Sequence, residues 1–150
     1  MAVAVKPLVV FGDVQSSGAG VLRAALAGRP EPHAVGVTVG TRVPDNRSPE
    51  TPLLPYVLVR KDSDLPHPSM ANARCTLRVT VWHEDPDQAH DLAMLCQALL
   101  LVHSGHVIRG VRPGTGPIAA VDTGLDRSAS GIDLSTFTVL ANVKPQPLSA

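Results

Sequence analysis

The sequence predicts an α+β fold, in which a mostly antiparallel or mixed β-sheet of about four to five strands carries two α-helices packed on one face. Residues 75–83, CTLRVTVWH, alternate apolar and polar side chains as a half-covered strand does. Residues 89–100 repeat apolar side chains at helical spacing. The elements follow in the order helix, strands, long helix, strands, which is an α+β arrangement. With 150 residues, the chain is expected to form a single domain over residues 1–150.

The first predicted element is a helix over AGVLRAALAG (19–28). We expect Ser16 or Ser17 to cap its start, and Gly28 followed by Pro30 to stop it. Its periodicity predicts one buried face: Val21, Leu22, Ala25 and Leu26.

Two strands are predicted next. HAVGVTVG (33–40) places valines at alternate positions, and PYVLVR (55–60) is rich in β-branched and aromatic residues. A proline-rich segment separates them, and its prolines are expected to mark the ends of elements.

The strand over residues 75–83 and the helix that follows it are the clearest elements. The strand is expected to bury Cys75, Leu77, Val79 and Val81 and to turn Thr76, Arg78, Thr80 and Trp82 to a wetter face. The helix is expected to bury Ala89, Leu92, Ala93, Cys96, Leu99 and Leu100 and to end at Gly105. Because both cysteines fall on buried faces and no secretory signal is recognisable, we expect free thiols.

The final part of the chain is predicted to hold strands at 106–111, near 118–121 and at 134–143, the last burying Phe137, Val139, Ala141 and Val143. Long loops are expected near residues 42–55, 61–74 and 112–131. Loops of such length are usually functional or disordered. These carry no catalytic set, so we expect them to contact other subunits.

The composition argues against several classes of function. Lys plus Arg and Asp plus Glu each number 13, so there is no charge excess that favours nucleic acid or an anionic membrane. Aromatic residues make up 3%, which disfavours a single-strand nucleic-acid binder that stacks bases. No apolar run approaches the ~20 residues that span a bilayer.

Arg109 and Arg112 flank the end of a predicted strand. We expect them to be solvated at the surface, and a contact with a partner is the second possibility.

The densest polar stretch is WHEDPDQAHD (82–91). Asp85 before Pro86, with Gln88 three positions later, is typical of a capped helix start. The alternative is a small metal-dependent or acid–base enzyme that uses His83, Glu84 and His90. We favour the helix start, because no metal signature such as HExxH is present. No catalytic, metal-ligating or cofactor-binding residue, and no cofactor, is therefore predicted.

Four segments, in this order, resemble tail terminator proteins of long-tailed actinobacterial phages. They are RVPDNRSPETPLLPYVLVRKD (42–62), CTLRVTVWHEDPDQAHDLAMLCQALL (75–100), GTGPIAAVDTG (114–124) and LSTFTVLANV (134–143). The resemblance covers roughly residues 18–144. One departure is KDSD at 61–64, where members often carry a double glycine.

The resemblance implies a structural virion protein and no enzyme. Such proteins form a homohexameric ring at the head-proximal end of the tail, assembled in the host cytoplasm. The ring stops polymerisation of the major tail tube protein and presents a surface to head-completion or neck proteins. Neither a membrane partner nor nucleic-acid recognition beyond passage of DNA through the ring is implied. The nearest alternative is another neck component, a head-closure or head–tail joining protein.

Overall fold

The computed structural model describes residues 9–11, 13–42, 54–65, 73–105, 107–122 and 132–147. In chain order the elements are β1 (Val9–Phe11), α1 (Val14–Leu26), a short 3₁₀ helix (Pro32–Ala34), β2 (Thr38–Gly40), β3 (Tyr56–Leu65), β4 (Ala73–Trp82), α2 (Pro86–Leu101), β5 (Ile108–Pro113), β6 (Ile118–Asp122), β7 (Ile132–Val143) and β8 (Pro145–Pro147).

The main sheet has six strands in the order β2-β3-β4-β7-β5, and β6 also pairs with β7. β2 pairs with β3 in parallel, and the other pairs are antiparallel, so the sheet is mixed. β5 lies along residues 139–143 of β7 and β6 lies along residues 132–136. These two strands therefore form one interrupted strand on the same edge of β7. β1 and β8 form a separate antiparallel ribbon.

The predicted α+β class, with two helices on a sheet, is confirmed, and the sheet has six strands where four to five were expected. Both helices pack on the same face of the sheet. The core-facing side chains of the central strands align across the register, as in Val59 opposite Val79 and Leu77 opposite Val139. The core is one cluster that joins these strands to both helices.

Helix α1 begins earlier than predicted. Asp13 caps it by accepting a hydrogen bond from the backbone N–H of Ser16 at 3.2 Å, so Ser16 and Ser17 lie inside the helix. The buried face is therefore Val14, Gly18, Ala19, Leu22 and Leu26, while Val21 and Ala25 are only half-buried.

Gly18 allows helix α1 to pack closely on the sheet. A Cβ at that position would lie 3.3 Å from both Leu77 Cδ1 and Val59 Cγ1.

The strand predicted over residues 33–40 is mostly wrong. A 3₁₀ helix occupies Pro32–Ala34, and the strand is limited to Thr38–Gly40. Gly36 has φ +72°, a left-handed conformation that breaks the extended chain. Val35, expected on a strand face, is 67% exposed.

The predicted loops are shorter than expected where the structure describes them. β3 continues through KDSD to Leu65, so the hairpin connection to β4 reduces to residues 66–72, which lie outside the described residues. Residues 43–53 and 123–131, in the other two predicted loops, also lie outside. Because β4 offers a continuous antiparallel partner, the polar residues of KDSD extend the strand after one register shift.

Helix α2 runs from Pro86 to Leu101 and ends four residues before Gly105. Ala89, Leu92, Ala93, Cys96 and Leu100 are buried as predicted, whereas Leu99 is only half-buried. Both cysteines are buried and neither forms a disulfide bond, as the prediction of thiols required. Burial raises the pKa of the Cys96 thiol to about 12.

Candidate functional site

The first candidate site is the junction between β4 and α2. Asp85 is the N-cap of α2, and its carboxylate accepts a hydrogen bond from the backbone N–H of Gln88 at 3.2 Å. Pro86 occupies the first helical position, where its missing N–H costs nothing, and Asp87 lies in the first turn. The predicted helix start is confirmed in each of these details.

His83 is buried at this junction, with 6% of its surface exposed. Its Nδ1 accepts a hydrogen bond from the backbone N–H of Glu84 at 2.9 Å. The proton therefore resides on Nε2, which lies 3.2 Å from the carbonyl oxygen of His33 and donates to it. His83 thus links the 3₁₀ helix to the end of β4, and each of its ring nitrogens forms a hydrogen bond within the chain.

The other two residues of the enzyme hypothesis lie differently. Glu84 and His90 are both exposed, Glu84 in the turn and His90 on α2. Among the described residues, no three His, Cys, Asp or Glu side chains come together as a metal-binding group. A metal ion at His83 would also have to displace one of two hydrogen bonds. The geometry at this junction supports a structural role for His83.

The second candidate site is the face of the main sheet opposite the helices, here called the open face. Strand alternation and register place the side chains of residues 56, 58 and 60 of β3 on it. Residues 74–82 of β4 and 134–142 of β7 contribute every second side chain. No described helix packs on this face. On these three strands Arg60, Arg74 and Arg78 are exposed, and most of the other described side chains of this face are half-buried.

One end of the open face is aromatic and closed. Tyr56 lies directly opposite Trp82, with ring centroids 6.1 Å apart and planes at 43°. The Tyr56 hydroxyl donates to the carbonyl oxygen of Arg42 at 2.5 Å, and both rings are more than nine-tenths buried. Trp82, which was predicted on the wetter face of β4, is therefore buried, and the ring of Tyr56 packs against it.

The middle of the open face mixes threonine and aliphatic side chains. Thr80 and Thr136 face each other with hydroxyl oxygens 3.3 Å apart, and Thr136 also donates to the carbonyl oxygen of Val79. Leu58, beside Thr80, is half-buried, and Ile118, beside Thr136, is 58% exposed. This row combines apolar surface with hydroxyl groups that already form hydrogen bonds within the chain. Such a surface suits a protein partner better than a small polar substrate.

The other end of the open face, here called the arginine end, carries four arginines: Arg60, Arg74, Arg78 and Arg112. Arg60 and Arg78 are directly opposite each other. Asp62 accepts from Arg78 at 3.3 Å (Nε) and 3.0 Å (NH2). That hydrogen bonding lowers the pKa of the Asp62 carboxyl and raises the pKa of Arg78.

Sequence reasoning placed Arg78 on the wetter face and suggested a partner contact near Arg112, but it did not bring the four arginines together. They come from three strands, and a strand register slip of one residue would turn any of them to the other face. Only the observed register of β3, β4, β7 and β5 shows that they share one surface.

No protein-family model and no curated protein sequence matches this chain. None of the helices in the described part of the chain has the length and apolarity needed to cross a membrane.

Proposed function

We propose that this chain is a structural virion protein: a ring-forming tail terminator that caps the tail tube, stops its polymerisation and provides the surface for head joining. The observation that carries the proposal is the open face. A sheet covered by helices on one side only leaves an extended, partly apolar surface of the kind that protein partners cover.

The segments that resemble tail terminators also form the centre of the fold. Residues 42–62 lead into β3, residues 75–100 form β4 and α2, residues 114–124 contain β6, and residues 134–143 form most of β7. These strands are consecutive neighbours in the sheet. The segments that resemble tail terminators therefore include the strands that carry the open face.

The chemistry of the described residues also favours a structural role over an enzyme. The polar junction at His83 is explained by hydrogen bonds within the chain. The polar groups of the open face include paired threonine hydroxyls, arginines, which do not exchange protons near neutral pH, and the Asp62 carboxylate, which accepts hydrogen bonds from Arg78. The described residues of these two regions do not combine a nucleophile with a neighbouring general base.

The decisive experiment deletes this gene from the phage or prophage that encodes it and images the lysate by electron microscopy. Tails of uncontrolled length beside unattached heads are the expected result, and a plasmid copy of the wild-type gene should restore normal virions. Tails of normal length that fail to join heads would identify a head-closure or head–tail joining protein instead. Normal virions without the gene would refute both functions.

A complementation experiment with a variant gene distinguishes a structural role of the protein from a catalytic one. The enzyme hypothesis requires His90, which is exposed and can be substituted without disturbing the core. A plasmid that carries His90→Ala should restore normal tails as fully as the wild-type gene. Loss of complementation by a variant that is still stably produced would revive the catalytic hypothesis.

A further inference from the structure

Among the described residues, only one carboxylate, that of Asp62, pairs with the four arginines of the arginine end. Arg78 pairs with Asp62, and Arg60 donates a long hydrogen bond of 3.4 Å to the carbonyl oxygen of Thr41. Arg74 and Arg112 are exposed and have no acidic partner among the described residues. This surface therefore presents excess positive charge, although the whole chain has a net charge of zero.

The matching negative charge lies on the opposite layer of the molecule. Glu84, Asp87 and Asp91, here called the acidic start of α2, are exposed and have no cationic partner among the described residues. Asp87 and Asp91 are one helical turn apart, on the side of α2 that faces away from its buried side chains. The arginine end and the acidic start of α2 thus carry unpaired charges of opposite sign on two different layers.

Opposite charges on opposite layers cannot meet within one molecule, but they can meet between two. A contact that joins the open face of one copy to the α2 side of the next uses different surfaces on the two copies. Such a head-to-tail interface repeats from copy to copy and closes into a ring when the rotation permits. Strands β3, β4 and β7, with β5 and β6 together as a fourth, lie about 4.8 Å apart and run about 33 Å, so the face measures roughly 600 Å², against about 800 Å² for one partner in a standard interface.

The composition of the open face favours a protein occupant over nucleic acid. Asp62 places a carboxylate among the arginines, where it would repel a phosphate backbone. The half-buried Leu58, two positions before Arg60, and the exposed Ile118, in the neighbouring threonine row, supply the apolar contact that protein interfaces use. A second copy of this chain carries the opposite charge that the arginine end requires.

We infer that the arginine end of the open face docks the acidic start of α2 of a second copy, so that copies of this chain assemble head to tail. The inference rests on the proposed ring-forming function and names the surfaces that would form the ring.

The test uses two charge-reversed variants of the full chain. In the face variant, Arg74→Glu with Arg112→Glu makes both surfaces acidic; in the helix variant, Glu84→Lys with Asp91→Lys makes both surfaces basic. Arg29→Glu is the control for a reversed charge, because Arg29 is exposed and lies on neither surface. Oligomeric state is measured by sedimentation velocity and native mass spectrometry, and circular dichroism checks that each variant is folded.

The wild-type chain and Arg29→Glu should assemble, and assembly should weaken several-fold as salt rises from about 0.05 to about 0.5 M. Each double variant alone should be monomeric over the range in which the wild-type chain assembles. An equimolar mixture of the two should assemble again, because each junction then joins opposite charges. If a double variant does not fold, the neutral pairs Arg74→Gln with Arg112→Gln and Glu84→Gln with Asp91→Asn replace it and should weaken assembly at least tenfold.

Three outcomes would overturn the inference: a wild-type chain that stays monomeric up to about 1 mM, reversed variants that assemble like the wild type, or a mixture that remains monomeric. Binding of a duplex DNA oligonucleotide that is lost in the face variant, while assembly is unchanged, would show a nucleic-acid surface and would also overturn it. The gene deletion tests the terminator function separately. If the deletion gives tails of uncontrolled length but the assembly test gives one of these three outcomes, the terminator function stands and only the proposed surfaces are refuted.

Discussion

Two adjacent leucines of α2 should differ sharply in their contribution to stability. Leu100 is fully buried, whereas Leu99 is half-buried on the rim of a groove that it shares with Val21 and Ala24 of α1. Periodicity alone placed both on the same buried face. The comparison of Leu100→Ala with Leu99→Ala therefore tests the observed rotation of α2 about its axis.

The structure sets the size of the difference. Truncation of leucine to alanine removes about three methylene equivalents, each worth about 0.8 kcal/mol when fully buried, so the transfer cost at Leu100 is about 2.4 kcal/mol. A closed cavity adds to this, which places Leu100→Ala at about 3–4 kcal/mol, inside the range of about 2–5 kcal/mol for such sites. At Leu99 the groove is open, so little cavity forms and about 1 kcal/mol is expected.

The free energy of unfolding is measured by urea denaturation for the wild type and both variants, with equal m-values as the sign that the same transition is compared. Met94→Ala serves as a matched control on the exposed side of α2, where Met94 is 46% exposed and a change below about 0.5 kcal/mol is expected. A cost at Leu99 equal to or above that at Leu100 would refute the observed orientation of the helix.

Three further substitutions test local features. Asp85→Ala should destabilise the chain by about 0.5–2 kcal/mol in the same denaturation assay through loss of the α2 cap, and no change would mean that the Gln88 N–H finds another acceptor. Gly18→Leu should lower stability by about 1–3 kcal/mol, because a Cβ there already meets Leu77 at 3.3 Å; an unchanged thermal midpoint would contradict the close packing of α1. Ser135→Ala should be neutral or stabilising by up to about 1 kcal/mol, since the Ser135 hydroxyl is buried without a hydrogen-bond partner among the described residues; a clear loss of stability would show that the hydroxyl is satisfied.

Elements that follow from local chemistry were predictable from sequence. Alternation along residues 75–81 and the Asp85–Pro86 cap depend only on neighbouring residues, and both are present as expected. The segment around Val35 was not predictable, because a 3₁₀ turn and the positive φ of Gly36 override a valine alternation that suits a strand.

The candidate surface depended on information that the sequence does not hold. The arginine end requires the register of four strands, which is set by contacts between residues far apart in the chain. The role of His83 likewise depends on His33, fifty positions earlier, whose carbonyl oxygen accepts a hydrogen bond from the His83 ring. Proximity of this kind comes from tertiary packing and leaves no local pattern.

The edges of the main sheet have a consequence for how the protein behaves when it is concentrated. One edge is β2, only three residues long, and the other is broken between β5 and β6, where Pro113 and Pro117 lack backbone N–H groups. Beyond β2, residues 59–65 of β3 also lie at the first edge, but they contain a register shift between Lys61 and Ser63, and the Lys61 N–H already donates to Gln15 Oε1 at 2.7 Å. The described edges therefore lack a long, regular row of hydrogen-bonding groups for an incoming strand, which is the usual template for amyloid-like aggregation. In concentrated solution these edges disfavour the joining of sheets between copies, and contacts between copies are left to side chains.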